Sequence, residues 1–110
     1  MGYVYVIKGY MKNDTNRVMY YIGSTWRPLM ERIDEHMRET CKFTRKLARK
    51  TLVWYCELPK ENARSVEFYL KKNRLTMKSL IGLTKCEKRE ENFDKWCKEH
   101  GIHIRVVCRV

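Results

Sequence analysis

Two runs of β-branched and aromatic residues, 3–9 (YVYVIKG) and 17–22 (RVMYYI), open the chain, with a polar stretch over 11–16 between them. Asn13, Asp14 and Asn16 supply turn chemistry, so the pattern predicts a hairpin with a long connection, its second strand ending at Gly23. Pro28 suits the first turn of a helix, and Leu29, Ile33 and Met37 then recur at helical spacing, which predicts a helix reaching about Thr40. Arg32 and His36 lie four apart and share one edge of that helix. The basic stretch 43–50 fits either a short helix or an ordered loop. Residues 51–58 (TLVWYCEL) read as a third strand, stopped by Pro59. Ala63, Val66 and Leu70 form the inward stripe of a second helix over 61–74, and Glu67 falls beside that stripe rather than opposite it. The pattern over 75–86 is ambiguous. Phe93, Trp96 and Cys97 mark the apolar edge of a third helix over 87–99, closed by Gly101, and 102–110 reads as a last strand. The expected class is α+β: a small central antiparallel β-sheet, built from the hairpin plus the third strand, flanked by helices.

At 110 residues with neither linker nor repeat, the chain reads as a single domain over 1–110. A chain of this size buries roughly two-thirds of its unfolded surface and needs no staple. An apolar fraction of 44% beside 34% charged residues excludes disordered and fibrous classes. No apolar run approaches the ~18 residues of a membrane span. The chain begins on strand-like residues rather than on a signal pattern, so the expected setting is intracellular, cytoplasmic or nuclear. Five cysteines, Cys41, Cys56, Cys86, Cys97 and Cys108, form no C-x-x-C pair and have no His at zinc-finger spacing. Reduced thiols are expected, with no structural zinc, and Cys56 and Cys108 fall inside apolar strand patterns as small core residues.

Charge changes the picture. Twenty-four Lys and Arg against 13 Asp and Glu leave +11, a surplus that repels itself until a polyanion neutralises it. The positive residues are also grouped. Residues 40–56 contain no acid but carry Lys42, Arg45, Lys46, Arg49 and Lys50, and 68–86 is likewise acid-free with Lys71, Lys72, Arg74, Lys78 and Lys85. Nucleic acid is the first partner this suggests. An anionic membrane surface is the weaker one, because no helix combines a basic face with a large Trp/Phe/Leu face.

Four motifs then fall in order along the chain: Tyr3-Val4-Tyr5, Tyr21-Ile22-Gly23, Arg32-x-x-x-His36, and Glu67 on the following helix. Over residues 3–75 this combination resembles the GIY-YIG nucleases, a family of homing endonucleases, excision-repair incision domains, junction resolvases and some restriction enzymes. The departures are specific. Tyr3 stands at the family's first Gly, the connection between Tyr5 and Tyr21 is longer than usual, and one extra residue before Arg32 leaves Arg27 as a rival for its place.

The resemblance implies a metal-dependent endonuclease acting on DNA, branched or damaged DNA included, with Tyr5, Tyr21, Arg32, His36 and Glu67 as its catalytic set. Hydrolysing a phosphodiester needs an activated water, neutralisation of charge on the phosphoryl oxygens and help for the leaving oxygen. Glu67 can hold one Mg²⁺ (or Mn²⁺), an ion that keeps several waters and shares substrate phosphate. The Arg32 guanidinium offers a fork for non-bridging oxygens. The resemblance gives the proton-accepting role mainly to Tyr5, with Tyr21 assisting. That role requires nearby positive charge to favour a phenolate whose ordinary pKa is about 10. His36 can orient water or Tyr21, or contact phosphate. Gly23 lets backbone approach a phosphate, and Gly23, Ser24, Lys42, Arg45, Lys46, Arg49, Lys50, Lys71, Lys72 and Arg74 are the candidate nucleic-acid contacts. The competing reading is a nucleic-acid-binding module that keeps the nuclease core without catalysis.

Overall fold

A computed structural model describes residues 1–38 and 41–110. In chain order the elements are β1 (Gly2–Met11), β2 (Asp14–Thr25), α1 (Leu29–Met37), β3 (Leu47–Leu58), α2 (Lys60–Lys72), α3 (Arg74–Leu80), α4 (Glu87–Glu99) and β4 (Val106–Arg109). The strands form one sheet in the order β2-β1-β3-β4, antiparallel at every pairing. This is the expected α+β architecture.

Strand β1 is central and buried on both faces, so its alternation divides apolar residues between two layers. Val4 and Val6 point one way with Ile22, Trp54, Cys56 and Leu58, and meet Ala63, Val66, Leu70, Met77, Phe93 and Cys97 from α2, α3 and α4. Tyr5 and Ile7 point the other way, against Ile33 of α1, with Tyr21, Leu29, Met37, Leu52 and Tyr55 around them. Each fully buried aliphatic side chain contributes about 1.5–3 kcal/mol, so the larger first layer carries most of the apolar stabilisation. The predicted stripe Ala63, Val66 and Leu70 is the buried face of α2.

Several boundaries differ from expectation. Gly23 does not end a strand; it lies inside β2, paired with Tyr5, and β2 continues to Thr25. Residues 41–46 are turns, and the strand begins at Leu47, four residues before the sequence pattern suggests. The early part, Leu47 to Thr51, reads as polar because it pairs with the distal end of β1 where the sheet is half exposed. The helix over 61–74 divides at Asn73, whose backbone (φ −119, ψ 65) leaves the helical region before α3 begins. There the Asn73 side chain donates to the Tyr69 carbonyl at 2.9 Å. The last strand is confined to Val106–Arg109. Cys56 is fully buried, while Cys108 on the edge strand β4 is only half-buried. The predicted end of α1 at about Thr40 lies outside the described residues. Among the described residues no helix is long and apolar enough to cross a membrane.

Candidate active site

Tyr5 is the hub. Its side chain is fully buried, and its hydroxyl lies 2.8 Å from His36 Nε2. His36 Nδ1 is in turn 2.8 Å from Thr44 Oγ1, and both His36 and Thr44 are also fully buried. The strand register explains Gly23. A Cβ at that position would stand 2.5 Å from the Tyr5 hydroxyl oxygen, so the missing side chain is the space the phenol occupies. The requirement is steric, and Gly23 keeps an ordinary strand conformation. Tyr21, two residues earlier on the same face of β2, places its ring 5.2 Å from the His36 ring and 6.5 Å from that of Tyr5.

Helix α1 contributes the cation beside this cluster. Arg32 Nη1 donates to Glu35 Oε1 at 2.7 Å, and Arg32 Nη2 donates to Cys41 Sγ at 3.7 Å. Arg27, the rival at this position, forks onto the same Glu35 carboxylate at 3.1 and 2.6 Å. Glu35 thus holds both arginines, but their settings differ: the Arg32 side chain is 27% exposed and that of Arg27 is 47% exposed. Arg32 is the one whose charge bears on Tyr5 and Tyr21.

Glu67 arrives from the other layer. By alternation Ser24, paired with Val4, faces α2, whereas its neighbour Gly23 faces α1. Ser24 Oγ donates to Glu67 Oε1 in a short hydrogen bond, and Lys71 Nζ donates to Glu67 Oε2 at 2.6 Å. Because β2 is an edge strand, nothing in the sheet separates the two layers beyond it. The Glu67 carboxylate reaches that edge closely enough that its charge helps raise the pKa of Tyr21. Tyr5, Tyr21 and His36 therefore gather on the α1 face with Arg32 beside them, and Glu67 lies on the α2 face, joined to the edge strand β2 through Ser24.

Burial dominates the electrostatics. It raises the pKa of Tyr5, and neighbouring Tyr21 adds to the rise, against the opposing pull of Arg32. Burial, then Cys41 and Glu67, likewise raise Tyr21. Burial, reinforced by the charges of Arg32 and Lys50, lowers His36 to about 4. At neutral pH Tyr5 is consequently a neutral phenol and His36 a neutral imidazole, which donates through one ring nitrogen and accepts through the other. Positive charge nearby does not by itself produce a phenolate here. Glu35 is held down at about 2, first by Arg27 and then by Arg32.

The expected basic contacts fall in separate places. Lys42, Arg45 and Lys46 are exposed on the turns after α1, the segment that Thr44 ties to His36. Arg49, at φ 49, lies over the Tyr10 ring at 4.2 Å. Lys50 contributes its charge at His36. Lys71 is on Glu67, Lys72 lines a cavity between α2 and α4, and Arg74 donates to the Tyr20 carbonyl at 2.9 Å. Three contributors had no motif to announce them. Thr44 lies in a loop with no periodicity, Cys41 looks like any small apolar residue, and Glu35 looks like a solvated helix acid. Only Glu35 left a signal: it follows Arg32 at i, i+3 spacing.

Could a divalent ion be held? Among the described residues no three His, Cys, Asp or Glu form a cluster able to hold a metal. Glu67 is a lone carboxylate donor, which fits Mg²⁺, since that ion keeps most of its waters and takes other ligands from phosphate. Of its two oxygens, Oε2 is held by the half-exposed Lys71 side chain (42% exposed), which can swing into solvent. A family model described as the GIY-YIG catalytic domain matches residues 1–79. The search of curated proteins and the search of solved structures each return no match.

Proposed function

Because this chain belongs to the GIY-YIG catalytic-domain family, a family of endonucleases, we propose that it is a metal-dependent endonuclease that hydrolyses phosphodiester bonds in DNA, branched or damaged DNA included. The observation that supports the reading is the gathering of Tyr5, Tyr21 and His36 on the α1 face with Arg32 beside them, while Ser24 holds Glu67 at the edge strand β2. Arg32 offers a charge-assisted fork to the non-bridging oxygens of a bound phosphodiester. Once the site opens enough for water to reach the Tyr5 oxygen, which is fully buried in the fold, the water that attacks phosphorus gives that oxygen a proton while the Tyr5 proton passes to His36 Nε2, 2.8 Å away. Placing the imidazole N–H on Nδ1 leaves Nε2 free to accept and lets Nδ1–H donate to Thr44 Oγ1. No free phenolate is needed, which suits a tyrosine whose pKa burial has raised.

Substrate also assists the transfer. Phosphate paired with Arg32 offsets one of the charges that depress His36, so the imidazole becomes a better proton acceptor as the site fills. Glu67, oriented by Ser24, is the residue that would hold Mg²⁺ or Mn²⁺, one ion per site. When bound, that ion supplies charge neutralisation for the phosphoryl and leaving oxygens. Tyr21 closes the cluster against His36. Gly23, by omitting a side chain, keeps Tyr5 in line.

A module that binds nucleic acid without cutting is the second reading. The Lys71–Glu67 ion pair favours it, since an ammonium already neutralises the carboxylate. A supercoiled-plasmid nicking assay separates the two. Nicking by the wild type that needs Mg²⁺ or Mn²⁺ and stops with chelator supports the endonuclease. DNA binding without nicking under either ion supports the module.

A further inference from the structure

Trp26 is conspicuous for its exposure. It sits on the connection between β2 and α1 with 73% of its surface exposed, while Trp54 is fully buried and Trp96 is half-buried among Tyr69, Phe93 and His100. A cavity of about 220 Å³ is lined by Ser24, Thr25, Trp26, Arg27 and Arg32. The indole therefore borders the same recess as the Arg32 guanidinium and as Ser24, the residue that orients Glu67. Its loop is anchored: the Arg27 backbone N–H donates to Thr25 Oγ1 at 3.1 Å, and the Arg27 side chain is forked onto Glu35. An aromatic ring is thus held out in water, beside two arginines, at the mouth of the site.

Phe43, 64% exposed, is a second exposed ring, on the 41–46 turns. Lys42 and Arg45 stand on either side of the Phe43–Thr44 pair, and Thr44 binds His36. Aromatic rings set among cations are the arrangement that tracks a nucleic-acid strand while stacking on its bases. Inside a perfect duplex each base is already stacked on both faces, so an exposed indole gains a partner only where a base is unpaired or splayed.

We propose that Trp26 stacks on an unpaired nucleobase next to the phosphate held at Arg32, and that this contact makes the site prefer DNA carrying an unpaired strand over perfect duplex. The proposal rests on the endonuclease reading for which phosphate is cleaved, but the stacking itself is read by binding alone. In the Glu67→Gln background, a duplex and the same duplex with a short single-stranded flap are titrated while tryptophan emission and anisotropy are followed. The flapped DNA should quench emission and the perfect duplex should not. Trp26→Phe should abolish the quenching and keep the affinity. Trp26→Ala should weaken binding of flapped DNA by roughly 5- to 150-fold, the range for loss of one base–aromatic stack, and leave duplex affinity unchanged.

Equal weakening for both DNAs overturns the proposal, as does quenching that survives in Trp26→Phe or emission that neither DNA changes. Cleavage separates the two claims. If the wild type nicks nothing but the binding contrast holds, the endonuclease reading falls and stacking stands. If the wild type nicks and Trp26→Ala leaves the ratio of flapped to duplex cleavage unchanged, stacking falls and the endonuclease stands.

Discussion

On the α2 side of the sheet, Val4, Val6, Ile22 and Leu70 meet through carbon alone, whereas on the α1 side Tyr5, His36 and Thr44 are as deeply buried and carry polar atoms. Burying a hydroxyl or a ring nitrogen without a partner costs about 1–3 kcal/mol. The α1 side avoids that cost by closing its polar atoms into one chain, Tyr5 to His36 to Thr44, at 2.8 Å per link. The α2 side carries one such cost itself, at Trp54 Nε1, which is buried without a partner among the described residues. Its surrounding apolar area offsets this. The contrast assigns the two layers different work: one holds the sheet, and the other holds groups that can accept and pass a proton. Ser24 on the edge strand β2 holds Glu67 at the rim of the first layer, where its charge bears on Tyr21 of the second.

Removing carbon from the first layer should cost the most. Met77→Ala empties a fully buried position on α3 and should destabilise the fold by about 2–5 kcal/mol in urea unfolding. The cleavage rate of the folded fraction should stay unchanged. Loss of turnover in proportion to nothing but folded fraction sharpens the division of labour; loss beyond it breaks the division.

The second layer should instead answer to pH. His36 protonates near 6.5 in the unfolded chain but only at about 4 in the fold, because burial and then Arg32 and Lys50 disfavour the charged ring. Between those values the unfolded chain binds the extra proton, so stability falls as pH drops from about 6.5 to 4, by up to about 3 kcal/mol. Glu35 acts in a different window. Its depressed pKa gives stability that is present above its ordinary value of 4.5 and is lost as pH falls toward about 2. Urea titrations across pH should therefore show a slope between 6.5 and 4.5 that His36→Gln removes. A slope that survives this substitution would mean that the imidazole is not the buried neutral group described.

Arg32→Lys keeps the charge and loses the fork, so turnover should fall on the order of 10²-fold, while Arg27→Lys, at the more exposed of the two Glu35 pairs, should change it little. The reverse ranking would move the phosphate contact to the loop before α1. The smallest effect is expected outside both layers. Lys42→Glu with Lys46→Glu, on the exposed turns tied to His36 through Thr44, should flatten the dependence of log affinity on log salt by roughly 0.9 per lost duplex contact. Turnover at saturating DNA should not change. An unaltered slope would place the DNA path elsewhere, with Lys71 and Lys72 on α2 next to be tried.

What could be read in the sequence followed what is local. Helical spacing of Leu29, Ile33 and Met37, and of Ala63, Val66 and Leu70, is a property of one segment, and both helices form as that spacing predicts. Of the ordered motif, the fold brings Tyr5, Tyr21 and His36 together and sets Arg32 beside them. Misreadings arose where the reason for a residue lies on another element. Gly23 looks like a strand end because glycine is a common breaker, but its cause is the phenol of Tyr5 across the sheet. Leu47 to Lys50 look helical or looped because their charges hide a strand whose register is set by β1. Thr44 carries no pattern at all, since its hydrogen bond to His36 depends on how the chain returns after α1. The balance at the Tyr5 phenol is not local either: sequence supplies Arg32, which favours a phenolate, but not the burial that opposes it.

The central claim is that the two layers join at the β2 edge into one hydrolytic centre, with Glu67 as the only member drawn from the structural side. Glu67→Gln preserves shape and the partnership with Ser24 while removing the anionic ligand. Binding by anisotropy and cleavage by product formation, measured on the same DNA with Mg²⁺, test it directly. Cleavage should be abolished while the dissociation constant and the unfolding midpoint stay near those of the wild type. Cleavage by Glu67→Gln at the wild-type rate would contradict the account.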